Sequence, residues 1–121
     1  MCKKFSLSVY NKIFTECFLH FSRYVNDDLQ VSVFGIDPDT DLMGHFLDIS
    51  LEQNSIELLE NEIIVDHRYK PEIIEQLEDL GILKEKVRMC IINLTMYPVY
   101  SLDVPKLENY TYVEESMLCV A

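Results

Sequence analysis

Aspartates alternate along the segment GIDPDTDLMGHFLD with the spacing of oxygen ligands in a calcium-binding loop. The candidate ligands, at the first, third, fifth and twelfth positions of such a loop, are Asp37, Asp39, Asp41 and Asp48. A loop of the EF-hand type also needs glycine at the sixth position, where this chain has Leu42, and it lies between two helices. Asp and Pro are equally common in turns. The segment therefore permits two interpretations, a hairpin turn and a divalent-cation site of a small hydrolase or cation-dependent module, and we favour the turn.

Histidines, the usual general bases of enzymes, occur here without a recognisable partner set. The three are His20, His45 and His67, and none belongs to an H-x-x-x-H motif or follows a nucleophile motif. Strand alternation should place His45 and Asp48 on opposite faces. The run Asp66–Arg68 between two elements is typical of a solvated turn. We therefore predict no catalytic residue, no metal and no cofactor, and we interpret the chain as a protein that is not an enzyme.

Cysteines are four in number and widely spaced, at positions 2, 17, 90 and 119. The chain has no C-x-x-C motif, so the clustered ligands that are usual for a zinc site are missing. Cys17 and Cys90 lie within apolar runs, where buried inert thiols are usual. The first residues lack the apolar core of a signal peptide, and no apolar run is long enough to span a membrane. We expect a cytoplasmic protein.

Charge is distributed unevenly along the 121 residues, whose formal net charge is −11. Residues 27–79 contain fifteen acidic side chains against two basic ones, a net charge of −13. Such a field repels nucleic acid and anionic lipid and attracts a basic protein surface. The simpler interpretation is that the acidity only keeps the protein soluble.

Strands are indicated by alternation of apolar and polar residues over 5–10, 29–36 and 43–51. The strands 29–36 and 43–51, with the polar Asp/Pro stretch between them, then form a β-hairpin. Further strands are expected over 62–66, 87–94 and 96–102, with Pro98 indicating an edge strand or a bulge. Residues 13–25 satisfy helical spacing, yet their aromatic and β-branched types favour a strand, and the pattern alone does not decide.

One helix is predicted clearly, over residues 71–80. Pro71 suits the first helical position and Gly81 suits a left-handed C-terminal cap. Ile73 and Leu77 belong to an apolar stripe, whereas Gln76 should face solvent. The chain after about residue 104 is expected to be loose or to add one last strand, YTYV, within the single domain 1–121.

Several segments together resemble a family of small uncharacterised proteins carried by gut Firmicutes, often on conjugative elements or phages. The positions that carry the resemblance are Arg23, Tyr24, Asn26, Leu29, Leu77, Gly81, Ile82, Tyr97 and Pro98. The resemblance covers residues 13–103 and implies an α+β fold, a mainly antiparallel sheet with one principal helix packed on it. It also implies that residues 13–25 form a strand. It assigns no catalytic residue.

We expect from these observations a non-enzymatic acidic protein that inhibits or neutralises a basic host or rival protein. Anti-defence inhibitors, nucleic acid mimics and toxin-immunity proteins all fit this description. The predicted partner-binding residues are Asp37, Asp39, Asp41, Glu57, Glu60 and Glu62. A third hypothesis is a self-associating structural protein, a homodimer formed through an exposed edge strand near MYPVYSL.

Overall fold

Two antiparallel sheets and little helix form the fold in a computed structural model, which describes residues 3–66 and 71–111. The strand orders are β1-β2-β3-β4 and β5-β7-β6. The predicted α+β class is confirmed. The elements are β1 Phe5–Val9, β2 Lys12–Arg23, β3 Leu29–Ile36, β4 Met43–Asp48, β5 Glu62–Ile64, α1 Pro71–Asp79, β6 Glu85–Ile92, β7 Thr95–Ser101, α2 Val104–Leu107 and a 3₁₀ turn Glu108–Tyr110.

Strand β2 is the long central strand of the first sheet, so the ambiguous segment 13–25 is a strand up to Arg23. Its aromatic and β-branched side chains suit a pleated surface, and pairing with a strand on each side outweighs the helical spacing. The register with both neighbours shifts near Glu16, whose φ is 53°. This bulge lets Phe14 and Cys17 both enter the core.

A second bulge lies in β4, where Phe46 has no partner because Val33 pairs with Leu47 and Phe34 pairs with His45. The extra residue turns two successive side chains inward, so Phe46 stacks on Phe14 with ring centroids 4.0 Å apart while Leu47 is buried. Gly35 makes room for this, because a Cβ there would lie 2.9 Å from Cε1 of Phe46. The predicted β3–β4 hairpin is confirmed, with a change of face at the bulge.

Strand β7 is the central strand of the second sheet, and the prediction that Pro98 marks an edge strand is wrong. The register irregularity in this sheet lies in β6, between Lys86 and Arg88, and not at Pro98. On the other side of β7, the Val65 amide donates to the Pro98 carbonyl at 3.0 Å. Proline has no N–H to return that bond, which explains why β5 ends at Ile64.

Helix α1 ends as predicted, at a left-handed Gly81 with φ of 78°. The amide of Ile82 folds back to the Leu77 carbonyl at 2.9 Å, and Ile73 and Leu77 are buried. Gln76 does not point freely to solvent. Its side chain exchanges two hydrogen bonds with the backbone of Ser8, 2.8 and 2.9 Å long, and so covers the outer edge of β1.

The two sheets are joined by the stretch that follows β4. The Ile49 amide bonds to the Val31 carbonyl in the first sheet, while Leu51 bonds to Ile64 in the second, and Ser50 bridges to Val65. One main core lies between the first sheet, α1 and the inner face of β5 and β7.

The chain beyond residue 104 is packed as far as it is described, so the predicted looseness is wrong for residues 104–111. Leu107 and Tyr110 are buried in the main core, and Tyr110 meets Phe5 edge to face at 5.4 Å. Of the predicted strand YTYV, Tyr110 ends the 3₁₀ turn and Thr111 bridges to Leu19, and the rest lies outside the described residues. In the described part of the chain, no helix combines the length and the apolar character needed to cross a membrane.

Candidate functional site

The three alternating aspartates form the β3–β4 turn and are held by the protein itself. The Asp41 amide bonds to the Asp37 carbonyl at 2.7 Å, and the Asp39 amide donates to the Asp37 carboxylate at 2.8 Å. Lys12 Nζ lies 3.3 Å from Asp37 and 2.7 Å from Asp39. The pKa of Asp37 is lowered, first by the Asp39 amide and then by Lys12, and the pKa of Lys12 is raised chiefly by Asp39. The turn thus has its own cation.

The fourth aspartate, Asp48, is engaged elsewhere. Its Oδ1 lies 2.9 Å from Nε2 of His45 and accepts a 2.7 Å hydrogen bond from the Ser32 hydroxyl. Within residues 3–66 and 71–111, no three His, Cys, Asp or Glu side chains are arranged to hold a metal ion. The cation-module hypothesis therefore has no ligand set in that part of the chain.

The contact between His45 and Asp48 contradicts the alternation prediction, because the bulge at Phe46 brings both side chains to the outer face of the first sheet. Ser32, His45 and Asp48 are the three residue types of a Ser-His-Asp catalytic triad, but the order of their hydrogen bonds differs from that of a triad. Serine and imidazole both bind the carboxylate, so the imidazole is not placed to take the serine proton. This arrangement fixes two side chains without activating a nucleophile.

The same histidine belongs to a cluster of rings on the outer face, a cluster that sequence reasoning did not identify. Phe34 stacks on Phe18 at 5.4 Å and meets His20 and His45 edge to face at 5.9 and 5.5 Å. Lys4 Nζ lies 4.6 Å from the centre of the Phe18 ring. The sequence did contain a signal for this cluster. Its residues in β2 and β3 alternate with the buried Leu19 and Val33, and so they lie on the opposite, outer face. The imidazoles are packed against rings and do not converge on a reacting centre.

The cysteines within the described residues are buried free thiols, as predicted for Cys17 and Cys90. Burial raises the pKa of Cys17 to about 11, and burial also raises the pKa of Cys90. A thiolate is the reactive form of cysteine, so both thiols are unreactive at neutral pH. Residues 67–70, which include most of the predicted Asp66–Arg68 cluster, lie outside the described residues.

The six predicted partner-binding carboxylates do not share one surface. Glu62 faces inward, with its side chain only 5% exposed. It binds Arg88 Nη1 at 3.1 and 3.2 Å and accepts the Leu59 amide at 3.0 Å, so it is part of the internal structure. Glu57 and Glu60 are exposed on the loop that precedes β5.

The aspartate turn lies at the opposite end of the first sheet from Glu60. In the β2–β3 ladder, Thr15 pairs with Ile36 at one end and Arg23 pairs with Leu29 at the other. Seven residue steps along β3 separate these ends by roughly 23 Å, at about 3.3 Å per step. A partner would meet either the turn or Glu60 first, not all six carboxylates as one patch.

Two adjoining clefts, together called here the β2–β3 cleft, surround Glu60. Their volumes are 680 and 460 Å³, and Arg23, Leu29 and Glu60 line both. The larger cleft has apolar walls from Phe21, Leu29 and Val104. The smaller one has an acidic rim whose carboxylates are Asp27, Asp28 and Glu60.

The β2–β3 turn positions the cleft, and it contains the motif residues Arg23, Tyr24, Asn26 and Leu29. The Tyr24 and Asp28 backbones bond at 2.9 Å, and Asp27 takes a left-handed φ of 72°. Asn26 and Asp28 exchange bonds of 2.9 and 3.0 Å, and Arg23 Nη1 donates to the Asp27 carbonyl at 3.2 Å. These bonds fix the backbone of the turn and the Asp28 carboxylate of the acidic rim.

Tyr24 fastens this turn to the junction between the sheets. Its hydroxyl lies 2.9 Å from the Ser50 hydroxyl and 3.1 Å from the Ser50 carbonyl. Burial raises the pKa of Tyr24, so the phenol stays protonated and can donate. The motif that carries the sequence resemblance therefore has a structural role that also shapes a cleft.

Comparison with protein-family models, with curated proteins and with solved structures finds no match to this chain. The resemblance to a family of small uncharacterised proteins stays a prediction.

Proposed function

We propose that this protein is a non-enzymatic acidic binding protein that holds a basic segment of a partner protein in the β2–β3 cleft. The observation that carries the proposal is the continuity of an apolar cleft with an acidic rim through the shared residues Arg23, Leu29 and Glu60. In this proposal the binding surface lies at one end of the first sheet and does not extend across the whole acidic region.

The chemistry of the cleft suits lysine or arginine side chains. Such side chains lay their apolar stems along hydrophobic surface and keep the charged head near water or a counter-ion. Here Phe21, Leu29 and Val104 offer the apolar surface, and Glu60 lies at the junction with the acidic rim. Three carboxylates against one guanidinium leave the lining of the two clefts negative.

The turn that carries Asp27 and Asp28 is also held in place before a partner binds. Asp28 is fixed by Asn26, and Arg23 is drawn to the Asp27 carbonyl. A carboxylate that is already fixed, as that of Asp28 is, loses little conformational entropy on binding, which favours affinity and specificity. Proteins with such a surface can neutralise a basic toxin, a defence protein or a nucleic-acid-binding protein, and we place this protein in that class, acting in the cytoplasm for a mobile element.

The test compares Glu60→Lys with Glu57→Lys. Both residues are exposed on the same loop, and both changes alter the net charge equally, but Glu57 lines neither part of the cleft. The probe is a fluorescent peptide of alternating lysine and leucine, measured by anisotropy at low salt. We expect Glu60→Lys to weaken binding roughly fivefold or more and Glu57→Lys at most about twofold.

A peptide of alternating glutamate and leucine serves as the charge control and should not bind. Equal losses in the two variants, or equal binding of the acidic peptide, would contradict the proposal. The natural partner is then sought by capture from a host lysate and mass spectrometry, and a true ligand of the cleft is retained by Glu57→Lys and lost by Glu60→Lys.

A further inference from the structure

Strand β6 is an edge strand with an unusual amount of exposed apolar surface. Of the described strands, only β7 pairs with it. Five apolar side chains of the β6–β7 hairpin are exposed, with exposed fractions of 41% for Val87, 41% for Met89, 64% for Ile91, 98% for Leu94 and 53% for Met96. Exposed edges with apolar side chains are prone to pair with another chain.

The hairpin turn fixes which backbone groups of β6 face the open edge. Asn93 and Leu94 form a two-residue turn with φ of 51° and 67°, so Ile92 and Thr95 are a hydrogen-bonded pair. Hydrogen-bonded pairs alternate along an antiparallel ladder. Met89 and Ile91 therefore sit at the intervening positions, and their N–H and C=O groups point away from β7.

The side chains of these two residues also share one face of the sheet with Met96, because Ile91 pairs with Met96 and Met89 pairs with Pro98. The opposite face, with Cys90 and Tyr97, is covered by the segment around Leu51 and Leu58. The open edge is thus continuous with an apolar face.

Only the first half of β6 has the features that protect edge strands, namely charges and a bulge. Lys86, Arg88 and the register irregularity between them provide these features. From Met89 to Ile92 the strand has no charge, no proline and no bulge.

We infer that a second copy of this chain pairs with β6 in antiparallel fashion, about a two-fold axis through Cys90. In this register Met89 of one copy and Ile91 of the other exchange both backbone hydrogen bonds, and the symmetry repeats the pair. Registers centred on Met89 or Ile91 would instead pair an outward-facing residue with the bulge or the turn, and so they form fewer bonds.

Charge favours a second copy as the occupant. In this register Lys86 falls opposite Leu94 and Arg88 opposite Ile92, so no like charges face each other. The segment Lys84–Arg88 contains three cations and one acid in a chain of net charge −11, so two copies meet here with little carboxylate repulsion. A basic partner of the β2–β3 cleft, by contrast, would be repelled by Lys84 and Lys86.

The size of the contact predicts a weak dimer. A standard interface buries about 800 Å² on each partner, and one short strand with five apolar side chains supplies only part of that. We therefore expect a dimer that dissociates at micromolar concentration.

Sedimentation velocity from 1 µM to 1 mM tests this inference with matched variants. Met89→Lys should raise the dissociation constant at least tenfold. Met43→Lys, the same change on the exposed edge strand β4, should leave it unchanged. Met89→Pro should also break the dimer, because it removes an N–H that points to the open edge and not one that bonds to β7.

A monomer throughout this concentration range, or a dimer that Met89→Lys does not weaken, would overturn the inference. So would equal weakening by Met43→Lys, which would indicate a general effect of charge. Thermal melting at low concentration checks the fold of each variant, and Ile91→Lys, at a more exposed position, replaces Met89→Lys if that variant unfolds.

Discussion

Acidic side chains form ion pairs with basic ones in two regions of this molecule, and the two regions differ in their exposure to solvent. In the second sheet, Glu62 is buried beside Arg88 and also accepts a backbone amide. In the β3–β4 turn, Asp37 and Asp39 share Lys12 at a solvent-exposed surface. Buried charges depend strongly on their partners, whereas exposed pairs contribute little because water and salt compete. Neither group of acids should therefore drive binding, although both count in the net charge of −11.

Removal of Arg88 should give the largest effect. Arg88→Met leaves the Glu62 carboxylate buried without its cation and frees the Glu57 carbonyl, to which Arg88 Nη2 donates at 2.8 Å. Because the Arg88 side chain is 42% exposed, we expect a loss of about 2 kcal/mol in the free energy of unfolding, below the full cost of breaking a buried pair. Urea denaturation measures it. The double variant Arg88→Met/Glu62→Leu should recover most of the loss, and a double variant as unstable as the single one would show that the pair matters only through packing.

Lowering the pH should reduce the stability by a smaller amount, and this loss should arise in the β3–β4 turn. The pKa of Asp37 is lowered in the folded protein, so its contribution to stability is full above the unfolded pKa and is lost as the pH falls through the folded value. In Lys12→Met, the Asp37 pKa measured by NMR should rise but stay below that of a free aspartate, because the Asp39 amide remains. A complete return to the ordinary value would show that Lys12, and not the amide, is the main cause.

Added salt should produce the smallest change, and it should affect the exposed β3–β4 turn but not the buried pair of Glu62 and Arg88. At 1 M NaCl the Debye length falls to about 3 Å, which screens exposed pairs but not buried ones. The loss caused by Arg88→Met should therefore persist in salt, whereas the shift of the Asp37 pKa by Lys12 should shrink. If salt removes the Arg88→Met effect, Glu62 is accessible to water, and the two acid–cation groups do not differ in exposure as described.

Strong local patterns predicted most of the fold. The alternation of β3 gave its bounds, Leu29–Ile36, and Pro71 and Gly81 gave the bounds of α1 within one residue. The errors arose where one residue disturbed a regular ladder. A bulge at Phe46 reversed the faces of His45 and Asp48, and Pro98 was tolerated in a central strand because its missing N–H falls where β5 ends.

The site was less predictable because it depends on long-range packing. Nothing local marks Glu62 as buried, since its strand of three residues is covered on both faces. The β2–β3 cleft likewise combines the turn of the β2–β3 hairpin with a loop and a helix far along the sequence, at Glu60 and Val104. Counting residues identified the middle region as acidic. It did not identify the β2–β3 cleft, where acidic side chains lie beside apolar ones.

The hydrogen bonds of residues 49–51 affect how the molecule unfolds. Because its amides bond into one sheet and then into the other, neither sheet can open without breaking bonds that the other shares. Heating should therefore melt both sheets in a single transition, at one temperature by every spectroscopic probe, as in a cooperative one-domain protein.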